Sequence, residues 1–188
     1  MPIVVRRPSD AALDRLLARA TDRKLSYDAV GGTRVHVRRP GATFARREVA
    51  LGTAPAMFDS AVAALGRWEA HRRAGLRLVP DTPEISVGRT LLVVARWTVA
   101  WIVAPCRIVY TTAEDDRAGF AYGTVEGHPE EGEESFHVER RSGGAVFFVV
   151  ATYFRFADPI ARLGGPVSGR IQARYTSRYL GGLAEAVG

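Results

Sequence analysis

From residue 76 to residue 156 the chain alternates short β-type runs with turn residues, and this series constrains the fold more than any other feature. The runs are 76–79, 89–94, 98–103, 107–112, 120–124, 133–139 and 145–156. Between them stand Pro80 and Pro83, Pro105, Glu114-Asp-Asp116, a segment from Gly127 to Gly132, and Ser142-Gly-Gly144, the last a tight hairpin signal. Strands joined in series by turns predict an antiparallel meander.

Helical signals flank the meander. Ser9-Asp10 precede residues 11–20, where Leu13, Leu16, Leu17 and Ala20 share one side of an N-capped amphipathic helix. Residues 25–30, ending at Gly31-Gly32, resemble a short strand and turn; 35–40 read as a polar connector or edge strand, and 46–51 as a strand. Gly52-Thr53 opens a helix, with Thr53 as N-cap, Pro55 near its first turn, and Met57, Phe58, Ala61, Leu65 and Trp68 along one face. Near the C-terminus Leu163, Val167, Ile171, Tyr175, Tyr179 and Leu183 recur every four residues, a stripe that winds slowly around a long helix. Gly164-Gly165-Pro166 interrupts its first turn. The expected architecture is α+β and helix-grip-like: a curved antiparallel sheet wrapped around a long C-terminal helix, with a cavity between them. The expected organisation is a single domain, 1–188, divided into an N-terminal helix and connector (1–50), a helix (51–75), the meander (76–156) and the C-terminal helix (160–186).

Composition narrows the function classes. One cysteine, Cys106, excludes an internal disulfide framework and fits a reducing compartment. The N-terminus lacks a signal-length apolar core, and the apolar run 91–105 is too short to span a membrane, which takes about 20 residues. The expected location is therefore cytoplasmic. The net charge of +6 comes almost wholly from arginine, because Lys24 is the only lysine, and asparagine is absent; both point to coding bias in a GC-rich genome. Residues 1–50 carry eleven basic and five acidic groups, whereas 113–139 carry one basic and nine acidic. No basic face flanked by aromatics or a reading helix appears, so nucleic acid is not an expected partner.

The chemistry concentrates around residues 119–138. Strand alternation puts Glu133, Ser135, His137 and Glu139 on one face and Glu134, Phe136 and Val138 on the other. Glu134 thus falls on the apolar side, either paired, with Arg107 the candidate partner, or with a raised pKa. His128, in the turn, suits general acid–base work if Glu131 or Glu134 orients it; Tyr122 is a candidate hydrogen-bond donor. The alternative for Glu134 and Arg107 is an ion pair that locks the sheet. His128, His137 and the glutamates between them match no established metal spacing, and no nucleotide or cofactor motif is present. Trp68, Trp97 and Trp101 are either cavity walls or ordinary core.

Several blocks resemble an uncharacterised protein family, number 0548, of bacteria and plants. They are Leu25-Ser-Tyr-Asp-Ala-Val-Gly-Gly-Thr33, Met57 to His71, Cys106-Arg-Ile-Val-Tyr110, Gly119 to Val138, Ala151-Thr-Tyr-Phe-Arg-Phe156, and Gln172 with Arg178-Tyr-Leu180. Phe154-Arg-Phe-Ala157 departs from the Ser-Arg-Pro-type sequence of that family. The resemblance implies a fold akin to polyketide-cyclase and lipid-transfer (START-like) domains and supplies no known reaction. The leading expectation is a module binding a small apolar or amphipathic ligand, with Trp68, Trp97, Trp101, Arg107, Tyr122, Glu134 and Phe136 at the cavity. One alternative is a cyclase, isomerase or hydrolase using His128, Glu134 and Tyr122. Another is a homodimer or interaction module formed through the second apolar sheet face.

Overall fold

The computed structural model describes residues 3–4, 6–35, 42–97, 100–128, 130–156 and 165–188, with backbone alone for 3–4, 97, 156 and 165–171. Chain order is β1 (Ile3–Val4), α1 (Asp10–Thr21), β2 (Thr43–Gly52), α2 (Met57–Gly66), α3 (Glu69–Arg73), β3 (Arg77–Val79), β4 (Thr90–Trp97), β5 (Ala100–Ala113), β6 (Arg117–Thr124), β7 (Glu130–Arg140), β8 (Val146–Phe156) and α4 (Gly165–Val187). The sheet runs β2-β8-β7-β6-β5-β4-β3, with β1 beside β5. Every pairing is antiparallel. The fold is the helix-grip arrangement, an antiparallel sheet closed on one face by a C-terminal helix.

Period-two alternation sorts the side chains into an inner and an outer face. Inside, Leu91, Ile108, Phe120, Phe136 and Phe148 meet Phe58, Leu65 and Trp68 of the helical segment and Tyr179 and Leu183 of α4. Burying each such phenylalanine is worth about 1.5–3 kcal/mol. Outside, α1 lays Leu13, Leu16 and Leu17 over Leu92, Val94 and Val103. Ser9 caps α1, its side chain accepting from the Ala12 N–H at 3.3 Å. Next to α1, Tyr27 and Ala29 pack on Tyr153.

Two glycines set how closely neighbouring strands approach. A Cβ on Gly119 would lie 2.0 Å from the Phe136 carbonyl oxygen, and one on Gly132 would lie 1.9 Å from that of Tyr153. In register these glycines sit opposite His137 and Phe154.

Local expectations fail where tertiary context decides. Pro105 does not break the strand: β5 runs through it, and β6 pairs with β5 only from Cys106 onward, so one side of Pro105 has no ladder to interrupt. Residues 25–30 form no strand beyond one bridge, Leu25 to Val125; the Tyr27 hydroxyl and, just past the segment, the Gly31 N–H go instead to a glutamate of β7. The helix expected over 51–75 is two helices. Thr53 is not its cap; Ala56 occupies that position without a side-chain bond. Trp68 divides them in the left-handed conformation (φ 63°), which holds its indole in the core with Nε1 donating to the Pro83 carbonyl at 2.8 Å. Leu163 and residues 36–40 lie outside the described residues.

Candidate functional site

The inner face carries a buried polar chain where strands, α3 and α4 converge. Tyr122 of β6 and Glu134 of β7 are cross-strand partners. The Tyr122 hydroxyl donates to Glu134 Oε2 at 3.0 Å and lies 3.2 Å from Nε2 of His71 on α3. Glu134 Oε1 accepts from Thr152 of β8 and Gln172 of α4, each at 3.4 Å. His71, Tyr122, Glu134 and Thr152 are all buried. The chain thus runs imidazole, phenol, carboxyl, then hydroxyl and amide, across three strands and two helices.

Burial governs its electrostatics. It pushes the Glu134 carboxyl up from 4.5 to about 7; Glu130 adds to the rise, and bonds from Tyr122 and Thr152 oppose it. Burial also lowers His71 to about 3, so its ring is neutral. The phenols of Tyr122 and Tyr179 are raised by the same desolvation. Glu134 therefore holds its proton near neutral pH more readily than an exposed carboxyl.

His71 was not among the candidates from sequence. Its ring packs against Trp68, Phe136 and Tyr179 with centroids 4.6–4.8 Å away, and its Nδ1 is buried with no hydrogen-bond partner among the described residues. A phenyl ring fills such a slot and removes the unpaired nitrogen. His71→Phe is thus expected to change unfolding free energy by less than about 1.5 kcal/mol in denaturant melts. A larger loss would mean that the imidazole holds the network together.

Beside this chain a cleft of about 150 Å³ opens between β2, β8 and α4. Ala45, Val150, Phe154 and Ala173 form its apolar wall; Thr152 and Gln172, the partners of Glu134, line it too.

The sequence candidates fall in separate places. Tyr122, Glu134 and Phe136 come together on the inner face with Trp68, where Trp68 and Phe136 are filled-in core rather than walls of an open cavity. His128 does not join them: its Nδ1 accepts from the Glu130 N–H at 2.9 Å, closing the turn on its own backbone. Arg107 is not the partner of Glu134. It points to the other face, where Nε donates to Thr90 and Nη2 donates to the carbonyls of Ala20, Thr21 and Arg23 at 2.9–3.1 Å, capping the C-terminal end of α1. Glu134, left without that cation, has a raised rather than lowered pKa. Trp101 also faces outward, packed beside α1 and under Arg7. The Trp97 side chain lies outside the described residues.

On the outer face the neighbouring Glu133 anchors the N-terminal segment. Its Oε2 accepts from the Tyr27 hydroxyl at 2.9 Å and the Gly31 N–H at 2.8 Å; its Oε1 accepts from the Thr33 N–H at 3.0 Å and the Thr33 hydroxyl. Tyr27 reaches it by crossing Gly123, where a Cβ would lie 2.1 Å from the phenol oxygen. This explains the Leu25–Thr33 block as a clasp.

Sheet, C-terminal helix and inner polar chain define a helix-grip protein with a small cleft at the sheet–helix seam. Solved structures of that shape agree. A hypothetical protein of Helicobacter pylori superposes with a TM-score of 0.62 at 12% identity, over 88% of this chain and 99% of that one. Major latex-like protein 151 of Panax ginseng does so with 0.51 at 10%, over 78% and 98%. Residues 26–182 match the family described as Domain of unknown function (DUF1990), and the chain belongs to it. A UPF0548 protein of Deinococcus radiodurans is 33% identical over 98% of both chains, and one of Dictyostelium discoideum 24% identical over 97% of this chain and 94% of its own.

Proposed function

We propose that the protein binds a small amphipathic ligand in the cleft between β2, β8 and α4. The observation that carries this reading is the placement of Glu134 immediately behind two residues of the cleft wall, Thr152 and Gln172. About 150 Å³ suits a molecule near the size of one aromatic ring. Apolar contact would come from Val150, Phe154 and Ala173. Hydrogen bonds would come from the threonines and Gln172, with Glu134 able to respond as donor or acceptor because its pKa lies near 7. Native mass spectrometry of protein purified from its own host tests the reading. A bound mass is expected in the wild type and lost in Ala173→Trp, which fills the cleft. A chain that carries no ligand, or retains it in that variant, would overturn it.

The raised pKa of Glu134 and its link through Tyr122 to His71 favour a second reading, general acid–base catalysis on the bound molecule. In that case the recovered ligand is turned over by the wild type and persists unchanged on Glu134→Gln.

A further inference from the structure

A hollow larger than the cleft lies away from the sheet–helix seam. It is a groove of about 560 Å³ on the outer face, a size usual for small-molecule sites. Its floor is Ser135, His137, Val149 and Ala151, all buried. Arginines from separated parts of the chain surround it: Arg34 after the Glu133 clasp, Arg46 of β2, Arg117 of β6, and Arg140 and Arg141 at the end of β7.

The carboxylates present do not use up these cations. Glu139 is shared: Arg46 Nη2 lies 3.0 Å from Oε2, Arg141 Nη2 3.7 Å from the same oxygen, and Arg117 Nε 3.4 Å from Oε1. Glu48 is bonded by Arg46 and Arg141. The other acidic group of the lining, Asp116, makes no salt bridge among the described residues. Arg117 Nε, though near Glu139, is buried without a hydrogen-bond partner among the described residues. Arg34 makes no salt bridge among them either; its guanidinium lies 4.0 Å over the Tyr110 ring and donates to the Thr111 carbonyl.

Below them His137 stacks on Tyr110 with its Nε2 3.2 Å from the Thr112 hydroxyl. Burial, and then the charges of Arg117, Arg34 and Arg46, which line the same groove, lower its pKa to about 3. Guanidinium forks brought to one groove from three separate parts of the chain suit a group with three or more acceptor oxygens better than a planar carboxylate.

We propose that this groove binds a small organic phosphate, its phosphoryl oxygens held by Arg34, Arg46 and Arg117 above His137 and its organic part against Val149 and Ala151. The site lies across the sheet from the cleft, and its ligand is independent of the one proposed there.

The test follows the His137 ring by NMR while the full chain is titrated with inorganic phosphate, pyrophosphate or citrate at fixed ionic strength. Saturable binding of the phosphates is expected, with the His137 pKa rising by about one unit or more as the anion offsets Arg34, Arg46 and Arg117. Tyr110 stacks on the ring, and Asp116, Glu139, Arg140 and Arg141 also line this space, so the shift is compared with that in Arg117→Gln and Arg34→Gln. Each variant should weaken binding roughly tenfold or more. Arg72→Gln, which removes the Asp81 pairing elsewhere, should not. Melts confirm that each variant is folded, and if one is not, the other arginine decides. A response equalled by chloride, affinity unchanged in both groove variants, or citrate bound more tightly than pyrophosphate would overturn the proposal.

Discussion

Replacing Glu133 by alanine is expected to cost about 4 kcal/mol, since it strands buried and half-buried donors, of which only the Thr33 hydroxyl has a second partner, the Tyr110 hydroxyl. The Gly31 and Thr33 N–H groups and the Tyr27 and Thr33 hydroxyls all converge on this one carboxylate, which is 3% exposed. Water cannot replace it without opening the clasp. For a chain of this size the loss corresponds to a fall in Tm of about 8–16 °C. Glu133→Gln keeps one acceptor oxygen but turns an amide toward N–H donors, and should fall between. Thermal unfolding followed by circular dichroism checks both. A shift under about 2 °C for the alanine variant would show that residues 27–33 are held by other contacts.

The second large effect is a pH dependence at Glu134. In the folded protein its carboxyl titrates at about 7, against 4.5 ordinarily. The unfolded chain therefore releases this proton first. As pH rises from about 4.5 to about 7 the folded state binds more protons than the unfolded one, and stability declines; the full deficit is present above 7. The pKa difference amounts to about 3 kcal/mol. Glu134→Gln cannot ionise. It should match the wild type at pH 4 and exceed it by up to about 3 kcal/mol at pH 8. Part of the slope will remain, because burial also raises Glu130 to about 7. Chemical denaturation of both proteins across this range is the measurement. A difference that does not vary with pH would mean the carboxyl is not desolvated.

This sign is the opposite of that expected for a pair with Arg107, and the contrast shows what sequence could convey. Alternation along β7 places Glu134 and Phe136 on the apolar face and Glu133, Ser135 and His137 on the other, because strand geometry fixes that parity locally. The antiparallel series and the closing helix were legible for the same reason: periodicity reports burial. Partner identity was not. Arg107 is taken by the carbonyls at the end of α1, more than eighty positions away, and nothing local signals this. His71 meets Tyr122 because the helix expected to continue past Gly66 turns at Trp68, a conformation a tryptophan adopts only when packing enforces it. The arginine groove was hidden twice. Its residues are spread from Arg34 to Arg141, and coding bias toward arginine gave its members no contrast with their surroundings.

Glu133 and Glu134 are adjacent, alike in side chain and opposite in surroundings. If β7 slid by one residue against its neighbours, one glutamate would enter the other's place, so these two carboxyls discriminate poorly between the true pairing and a shifted one. Gly132 removes the ambiguity. A slip would bring Glu131 or Glu133 to the point where even a methyl group would strike the carbonyl of Tyr153. Backbone collision, not side-chain preference, thus decides which acid faces the helix and which holds the clasp. Through one absent side chain the protein keeps its two chemical faces from being interchanged.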